Sequence, residues 1–434
     1  MGTAATGSPD SLQFDIAIVG GGLAGASLAA ALRELPLSVA LIEAFAPDSL
    51  AQPSFDERTT ALGNASRRVF EALDLWPRLA AEAAPITAIH VSDAGRYGFA
   101  RLDARELSQE ALGYVVPNRV LGRELWGMLA AAPRIAAFMP ARLTALRVGA
   151  DAAQLEVEQQ GTIRTLHARL VVAADGAQSM VRGVAGLGAS VADYAQVAVV
   201  AALRTDQPND GIAYERFTAA GPMALLPLRT AAGGDAGSAS SGRDNAGWRT
   251  LVWAARPDDA QRLLQLPAAQ FLAEWQQAFG WRAGRAVQLG ARGRYPLALT
   301  RSQGTVAPRI VLLGNAAQSL HPVAGQGFNL ALRDVAELAE VLAEDVQGDP
   351  GAALLLADYA ARRAQDRSGV ITFTDTLVRV FGSTHPAAAA ARDAGLLLFD
   401  LLPPAKRALA RVSLGFGVRS ARLARGLPLA REAG

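Results

Sequence analysis

A glycine cluster near the start of the chain constrains its fold more than any other feature. The motif Gly-Gly-Gly-Leu-Ala-Gly at 20–25 follows the apolar run 14–19 and precedes an Ala- and Leu-rich segment that ends before Pro36. A second apolar run, 37–42, then leads to Glu43. A strand, a Gly-x-Gly-x-x-Gly turn, a helix and another strand together predict a βαβ unit. We therefore expect the chain to begin with a Rossmann-like unit.

The three motif glycines have separate tasks in such a unit. Gly20 permits the tight turn, Gly22 lets the backbone approach a pyrophosphate, and Gly25 lets helix and strand pack closely. The phosphates would lie at the helix N-terminus, where free N–H groups and the helix dipole favour an anion. Glu43 stands near the spacing expected of a carboxylate that accepts hydrogen bonds from ribose hydroxyls. The motif alone does not distinguish FAD from NAD, and a glycine-rich turn without a ligand is the simpler alternative.

The composition argues against several other classes of protein. The 434 residues exceed what one hydrophobic core usually holds, which predicts two domains. With 42 Lys and Arg against 40 Asp and Glu and no basic stripe, the chain is not expected to bind nucleic acid. It has no Cys, and its four His stand apart, so we expect no metal site. The first residues do not resemble a signal peptide and no apolar run is long enough to span a membrane, so a cytoplasmic location is expected.

Hydrophobic periodicity organises the rest of the chain. The expected elements are helices over 60–79 and 120–132, strands within 88–112, 143–172 and 197–254, a buried strand at 310–313, and helices from 331 to the C-terminus. The Gly-, Ser- and Asp-rich insert 231–247 cannot bury a core and is expected to be a flexible, solvated loop.

Two further motifs follow buried strands. Asp175-Gly176 comes after the run 170–174; by itself such a pair is often only a turn. Gly314-Asn315 comes after 310–313 and leads into His-Pro-Val-Ala-Gly-Gln-Gly-Phe-Asn at 321–329. Glycines there would let the backbone approach a planar ring, and the helix that follows would direct its positive end at that ring. A reduced flavin carries negative charge, so such a helix end would stabilise it.

The order of these motifs resembles that of the class A flavoprotein monooxygenases, which share the p-hydroxybenzoate hydroxylase fold. Further matching segments lie at 56–62, 116–125 and 214–227, so the resemblance covers most of the chain. The string Gly-Asn-Ala-Ala-Gln-Ser-Leu-His-Pro-Val-Ala-Gly-Gln-Gly-Phe-Asn-Leu at 314–330 looks most like the UbiH-type 2-polyprenyl-6-methoxyphenol hydroxylases of ubiquinone synthesis. In that branch Asn315 replaces the Asp of most relatives, and an amide oxygen can accept the same hydrogen bond.

The resemblance implies FAD as the cofactor and a role for each matching residue. The chain has no Cys and no evident flavinylation motif, so we expect this FAD to be non-covalent. Gly20, Gly22 and Gly25 would cradle the pyrophosphate, and Glu43 would hold the adenosine ribose. The other implied contacts are Arg58 and Arg123 near the FAD, Asp175 and Gly176 at the pyrophosphate, Gly314 and Asn315 at the ribityl chain, and Pro322, Gly325, Gly327 and Asn329 along the isoalloxazine.

The resemblance also implies a reaction. NAD(P)H would reduce the FAD, O₂ would give a C4a-hydroperoxide, and a phenolic ring, here a polyprenyl-methoxyphenol, would take up one oxygen atom. Three other classes remain open. A hydroxylase of small soluble aromatics shares every FAD motif, whereas a nicotinamide dehydrogenase shares only the first. A non-catalytic member of a biosynthetic complex would keep the fold but would not need the flavin-facing glycines.

The expected fold class is α/β, with a Rossmann-like FAD-binding domain interleaved with a sheet-based substrate domain and a helical C-terminal region. The predicted boundaries are 13–85, 116–190 and 295–345 for the FAD-binding domain, 86–115 and 191–294 for the substrate domain, and 346–434 for the helices.

His321 is the titratable residue beside the flavin motif and is therefore a candidate to relay a phenol proton. A lone His before Pro is as readily a structural loop residue. Tyr214 and Arg216 are further candidates for the pocket, with sheet packing or surface exposure as the alternative.

The C-terminal segment has an amphipathic pattern. Arg407, Arg411, Arg422 and Arg425 fall in one arc of a helical wheel, and apolar residues including Leu423 and Leu427 lie opposite. Such a helix could lie on an anionic membrane surface or contact a biosynthetic complex. Ordinary packing on the enzyme body is the alternative.

Overall fold

The computed structural model describes residues 11–49, 52, 54–56, 58–218, 220–229, 247–382, 392, 395, 402 and 420–429. The predicted insert 231–247 lies outside these residues except for Gly247. The α/β fold class is confirmed.

The predicted βαβ unit forms the centre of the first sheet. It consists of β1 (Ser11–Val19), α1 (Leu23–Leu32) and β2 (Val39–Ile42). Strand β1 pairs in parallel with strands on both of its sides, and Ile16 and Ile18 are fully buried. A strand covered on both faces needs apolar residues at nearly every position, which explains its continuous apolar sequence.

The other members of this first sheet are β8 (Ile135–Phe138), β9 (Arg142–Val148), β10 (Ala153–Gln159), β11 (Thr162–Ala173), β17 (Val306–Ala307) and β18 (Ile310–Leu312). The eight strands are ordered β17-β18-β11-β1-β2-β8, with β10 and β9 attached to β11 as an antiparallel extension. Because β1, β2, β11 and β18 run in parallel, their carboxyl ends meet at one edge of the sheet.

The second sheet consists of β5 (Ala88–Asp93), β6 (Phe99–Asp103), β12 (Ala189–Thr205), β13 (Ile212–Thr218), β14 (Gly221–Pro227), β15 (Trp248–Ala255), β16 (Ala286–Ser302) and β19 (Gln318–Ser319). These eight strands are ordered β19-β16-β12-β15-β14-β13-β5-β6 and are mostly antiparallel. A third, three-stranded sheet contains β3 (Thr59–Gly63), β4 (Ala84–Ile86) and β7 (Gly113–Pro117). The domain boundaries stay a prediction. Strand β16 continues across the boundary that is predicted between residues 294 and 295.

The helices pack against these sheets. They are α2 (Asn64–Ala72), α3 (Trp76–Ala80), α4 (Asn118–Leu129), α5 (Met180–Val184), α6 (Pro257–Gln265), α7 (Ala268–Phe279), α8 (Gln326–Glu344) and α9 (Ala353–Gly382). Helices α6 and α7 cover the outer face of the second sheet, where Phe271, Trp275 and Phe279 join its core. Within the described residues, no helix is long and apolar enough to cross a membrane.

The expectation of helix over 60–79 is wrong at its start. Residues 59–63 form β3, which pairs antiparallel with β7, and α2 begins only at Asn64. The two threonines at 59 and 60 favour a strand, and pairing with β7 satisfies their backbone groups. Helical periodicity therefore holds only for the remainder of this segment.

Residues 420–429 are the part of the amphipathic C-terminal segment that the structure describes as a continuous stretch. Residues 423–425 form a single 3₁₀ turn, and Gly426 then takes a left-handed conformation with φ +81°. Leu423 is buried, and the Arg422 N–H donates to Glu340 of α8, so this turn packs on the body of the protein. Arg407 and Arg411 lie outside the described residues.

A buried ionic cluster joins α8 to α9. Asp334 is fully buried; its carboxylate accepts bonds from Arg363 Nε at 2.7 Å, Arg367 Nη2 at 3.2 Å and Gln318 Nε2 at 2.8 Å. Burial alone would raise the pKa of Asp334, but Arg367 and Arg363 hold this pKa below its ordinary value. The contribution of the cluster to stability is thus complete above about pH 4 and is lost as the pH falls below the folded-state pKa.

We expect Asp334→Asn to lower the free energy of unfolding by about 3–5 kcal/mol, because it removes the carboxylate that Arg363 and Arg367 share. Arg363 keeps an ion pair with Asp366 at 2.7 Å, so the cost arises mainly at the buried Arg367. Urea unfolding at neutral pH measures this loss. The matched control is Asp358→Asn in α9, which removes an ion pair from Arg362 at a side chain that is 47% exposed. The control should cost about 0–1 kcal/mol. Equal losses in both variants would contradict a structural role for the buried cluster.

Candidate active site

One large cavity lies between the two main sheets. Its volume is about 830 Å³, and it is lined by the glycine motif, by residues that follow β1, β2, β11 and β18, and by one face of the second sheet. Small-molecule sites usually measure about 300–1,000 Å³, and in α/β folds they lie beyond the carboxyl ends of the strands. The cavity therefore has both the size and the place of a cofactor site.

The glycine motif forms a backbone cradle at one end of this cavity. A Cβ on Gly25 would lie 1.9 Å from the Gly20 carbonyl oxygen, so only glycine permits this packing of α1 on β1. A Cβ on Gly22 would meet Ser54 Oγ at 2.7 Å within the cavity wall. The N-cap residue of α1 is Gly22, which has no side chain to cap the first N–H groups of the helix, so these groups can bind a phosphate.

Glu43 lies at the end of β2 and lines the cavity. Its Oε2 accepts the Gly21 N–H at 2.6 Å, and its Oε1 accepts the Phe45 N–H at 3.0 Å. These bonds fix the carboxylate and leave further lone pairs for ribose hydroxyls.

Two acceptors that fit the middle of a dinucleotide lie at the ends of β11 and β18. Asp175 Oδ2 accepts the Val181 N–H at 3.3 Å, whereas Oδ1 is buried and has no hydrogen-bond partner within the described residues. The Asn315 side chain is exposed to the cavity beside Gly314. A buried acceptor without a donor is costly, so Asp175 suits a ligand that carries hydroxyl groups. The exposed amide of Asn315 can accept a hydrogen bond from the same ligand.

The N-terminus of α8 forms the opposite end of the cofactor wall. Pro322, Gly325 and Gly327 line the cavity, and α8 begins at Gln326 immediately after Gly325, whose φ is +60°. A helix N-terminus carries about half a positive charge. This end can therefore stabilise negative charge on a flat ring beside it.

Asn329 was expected to line the ring, but the cavity wall does not include it. Its Oδ1 accepts the Gly63 N–H at 2.8 Å and Ser66 Oγ–H at 2.6 Å; its Nδ2 donates to the carbonyls of Ala61 and Gly325, each at 2.7 Å. All four of its hydrogen-bonding positions are thus taken by protein. Asn329 therefore fixes the Gly325 turn against β3, which places the start of α8.

Arg58 and Arg123 lie in different surroundings. Arg58 lines the cavity, bonds Asp56 through Nε at 2.8 Å and lies 4.1 Å from the ring centre of Tyr295. The Tyr295 hydroxyl donates to Asp56 at 2.6 Å, and burial raises the pKa of Tyr295 to about 12. Arg123 does not line the cavity; its half-exposed side chain bonds Glu82 and Glu124 on the surface of α4.

His321 is almost fully buried and does not line the cavity. Its Nδ1 accepts the Val323 N–H at 3.2 Å, so Nε2 carries the proton and faces Gln196 Oε1 at 3.3 Å. Burial lowers the pKa of His321 to about 4. With both ring nitrogens engaged, this arrangement favours a loop-fixing role over a proton relay.

The second sheet supplies a mainly apolar wall. The residues that line the cavity from its strands include Ile89, Ala198, Val200, Ala213, Glu215, Ala224, Leu226, Thr250 and Val252. Tyr214 also lines the cavity, but its ring packs on Phe279 of α7 on the outer face of the sheet. Arg216 does not line the cavity and donates to the Ala278 carbonyl on the same outer face. Side chains alternate between the two faces of a strand, so Glu215, between Tyr214 and Arg216, points to the cavity. The alternation along 214–216 could have identified Glu215 as a residue of the site, but it was not among the predicted ones. Tyr295 was also missed.

The sequence matches the family model described as FAD binding domain over residues 13–374. A ubiquinone hydroxylase, UbiL, of Rhodospirillum rubrum is 39% identical, over 98% of this chain and 95% of that protein. The 3-demethoxyubiquinol 3-hydroxylase of Escherichia coli is 32% identical, over 92% and 98% respectively. The chain therefore belongs to the family of FAD-dependent monooxygenases that this model and these two hydroxylases represent.

Solved structures support the same fold. The p-nitrophenol 4-monooxygenase PnpA of Pseudomonas putida superposes with a TM-score of 0.76 at 17% identity, over 94% of this chain and all of that one. PqsL of P. aeruginosa, in complex with 2-aminobenzoylacetate, gives a TM-score of 0.71 at 21% identity, over 89% of this chain and 99% of that one. At these identities the likeness concerns the fold alone.

We expect Gly22→Val to abolish FAD binding, because its side chain would occupy the space where the pyrophosphate approaches the backbone. The flavin absorbance of the purified protein measures this. Gly127→Val in α4 is the control, since a Cβ there meets nothing within 4 Å. Retention of FAD by Gly22→Val would rule out this cradle.

We expect Asn315→Asp to keep FAD and Asn315→Leu to lose most of it. Aspartate retains an acceptor, whereas leucine leaves a ligand hydroxyl unpaired at a cost of about 1–3 kcal/mol. Titration of the apoprotein with FAD gives both dissociation constants. Equal constants would show that Asn315 does not touch the cofactor.

Proposed function

We propose that the protein hydroxylates the ring of a prenylated phenol, with bound FAD, NAD(P)H and O₂. The observation that carries this proposal is that a single cavity joins the dinucleotide cradle to an apolar sheet face. The names of the relatives, two of which are hydroxylases of ubiquinone or a ubiquinol precursor, support the substrate class. Intact glycines in the cradle argue against a non-catalytic member of a complex.

The chain contributes binding, orientation and exclusion of water. When bound, FAD would accept a hydride from NAD(P)H and activate O₂ for transfer of one oxygen atom to the ring. Gly22, Glu43, Asp175 and Asn315 would hold its dinucleotide part, and the α8 N-terminus would hold its ring edge. The apolar strands would then keep water from the ring and receive the phenol.

The proposed substrate carries a prenyl chain and therefore partitions into lipid. This supports the proposal that the protein contacts a membrane surface or a biosynthetic complex that delivers the substrate. Arg425 is exposed on the described C-terminal turn, while Leu423 beneath it is buried. Contact through the C-terminal residues stays a prediction, as do the chain length of the substrate and the ring position.

We expect long-chain prenylated methoxyphenols to stimulate NAD(P)H oxidation with stoichiometric ring hydroxylation, and p-hydroxybenzoate and salicylate to do little. Burial of the prenyl chain contributes about 0.8 kcal/mol per CH₂, which the small acids lack. Cofactor oxidation at 340 nm together with product mass measures the coupling. Tight coupling with a small soluble phenol and none with prenylated ones would instead support a hydroxylase of soluble aromatics.

A further inference from the structure

Glu215 stands out on the wall of the cavity that the second sheet provides. It lies on β13, where it pairs with Ala224 of β14 and Val91 of β5, and it lines the cavity. Among the described residues of this sheet that line the cavity, Glu215 is the only carboxylate. Its neighbours along the wall are small and apolar, such as Ala213, Leu226 and Val252.

The surroundings of Glu215 give it no counter-ion. Within the described residues it makes no hydrogen bond and no ion pair. Burial raises the pKa of Glu215 to about 7, and no charged neighbour contributes to this shift. Asp93 lies on β5 two residues after Val91, which is opposite Glu215, and therefore on the same face of the sheet as Glu215. Its carboxylate is paired with Arg392 at 3.3 Å. The other titratable groups that line the cavity are Glu43, Arg58, Arg142, Asp175, Tyr214 and Tyr295.

An unpaired carboxylate in an apolar wall is costly unless a ligand uses it. The Arg58, Asp56 and Tyr295 side chains bond one another, and Glu43 holds two backbone N–H groups, so these groups already have partners. Glu215 instead presents its oxygens to the part of the cavity that suits an aromatic ring. A phenolic hydroxyl is a donor that would satisfy it.

We propose that Glu215 is the general base of the hydroxylation: its carboxylate accepts the hydrogen bond and then the proton of the substrate's phenolic hydroxyl. This assignment rests on the proposed function. The phenol O–H bond breaks, a carboxyl O–H bond forms, and the ring becomes a phenolate. Its electron-rich carbons are the ones that an electrophilic oxygen atom attacks. Once the oxygen atom has bonded to the ring as a hydroxyl group, the former phenolate oxygen is a ring carbonyl. The hydroxylated ring carbon then loses its hydrogen as a proton to water, and Glu215 returns its proton to the carbonyl oxygen, which restores the aromatic ring and the carboxylate.

The test compares holoenzymes carrying Glu215→Gln, Glu215→Asp or no change, with 6-geranyl-2-methoxyphenol as the probe. Glu274→Gln is the matched control, since Glu274 lies on α7 behind the same sheet and pairs with Arg262. FAD content, the dissociation constant of the probe and the rate of product formation are measured between pH 5.5 and 9.

We expect Glu215→Gln to keep its FAD and to bind the probe within a few-fold of wild type, yet to form product about 10²–10⁴-fold more slowly. The wild-type rate should rise with pH about a midpoint near 7, because the carboxylate is the active form. Glu215→Asp should keep this pH dependence at a lower rate, whereas Glu215→Gln should lose it. The Glu274→Gln enzyme should match wild type.

A ring-fluorinated version of the probe adds a readout that a merely structural role would not affect. The hydroxyl of this fluorinated probe ionises at lower pH, so its deprotonation depends less on a general base. The ratio of the wild-type rate to the Glu215→Gln rate should therefore be at least tenfold smaller than with the unfluorinated probe. A Glu215→Gln enzyme with the wild-type rate and pH profile, or with the same deficit for both probes, would overturn the assignment while leaving the proposed function intact. A wild-type enzyme that hydroxylates neither probe would overturn both.

Discussion

The close packing of α1 against the ends of β1 and β11 is the contact on which the rest of the site depends. A Cβ on Gly20 would lie 2.4 Å from the Ala174 carbonyl oxygen, and one on Gly25 only 1.9 Å from that of Gly20. Backbone therefore meets backbone at this point, and a side chain on either glycine would separate the segments. This contact brings the α1 N-terminus, Glu43 and Asp175 to a single edge of the first sheet, where a dinucleotide can bind all of them.

The two walls of the cavity supply different chemistry. The first sheet and α8 offer backbone N–H groups and a few fixed acceptors, which suit phosphates and hydroxyls. The inner face of the second sheet lines the cavity with small and branched apolar side chains. Its outer face packs on α7. A ring held between these walls is shielded from water and lies near few polar groups. In such surroundings one carboxylate has a large effect.

The sequence predicts those parts of the site that local motifs specify. The strand-turn-helix at 20–25, Asp175 after β11 and Asn315 after β18 are each defined by a few consecutive residues. Gly20 and Gly22 of the turn, Asp175 and Asn315 all line the cavity. Strand register joins residues far apart in sequence, so local motifs do not reveal Tyr295 beside Asp56 or Glu215 opposite Ala224. Asn329 shows the same limit, since its partners Ala61, Gly63 and Ser66 come from a distant segment. Residues 59–63 form a strand where a helix is expected from residue 60, because they pair with β7, which is also distant in the sequence.

The central claim is that one cavity holds a flavin and a phenol together, so that an oxygen atom of O₂ enters the ring. The most direct measurement supplies the purified holoenzyme with NAD(P)H, a prenylated methoxyphenol and heavy-isotope dioxygen, and determines the product by mass spectrometry. We expect a ring-hydroxylated product that carries one heavy oxygen atom for each NAD(P)H consumed. Heavy oxygen found only in hydrogen peroxide or water, with the phenol unchanged, would contradict it.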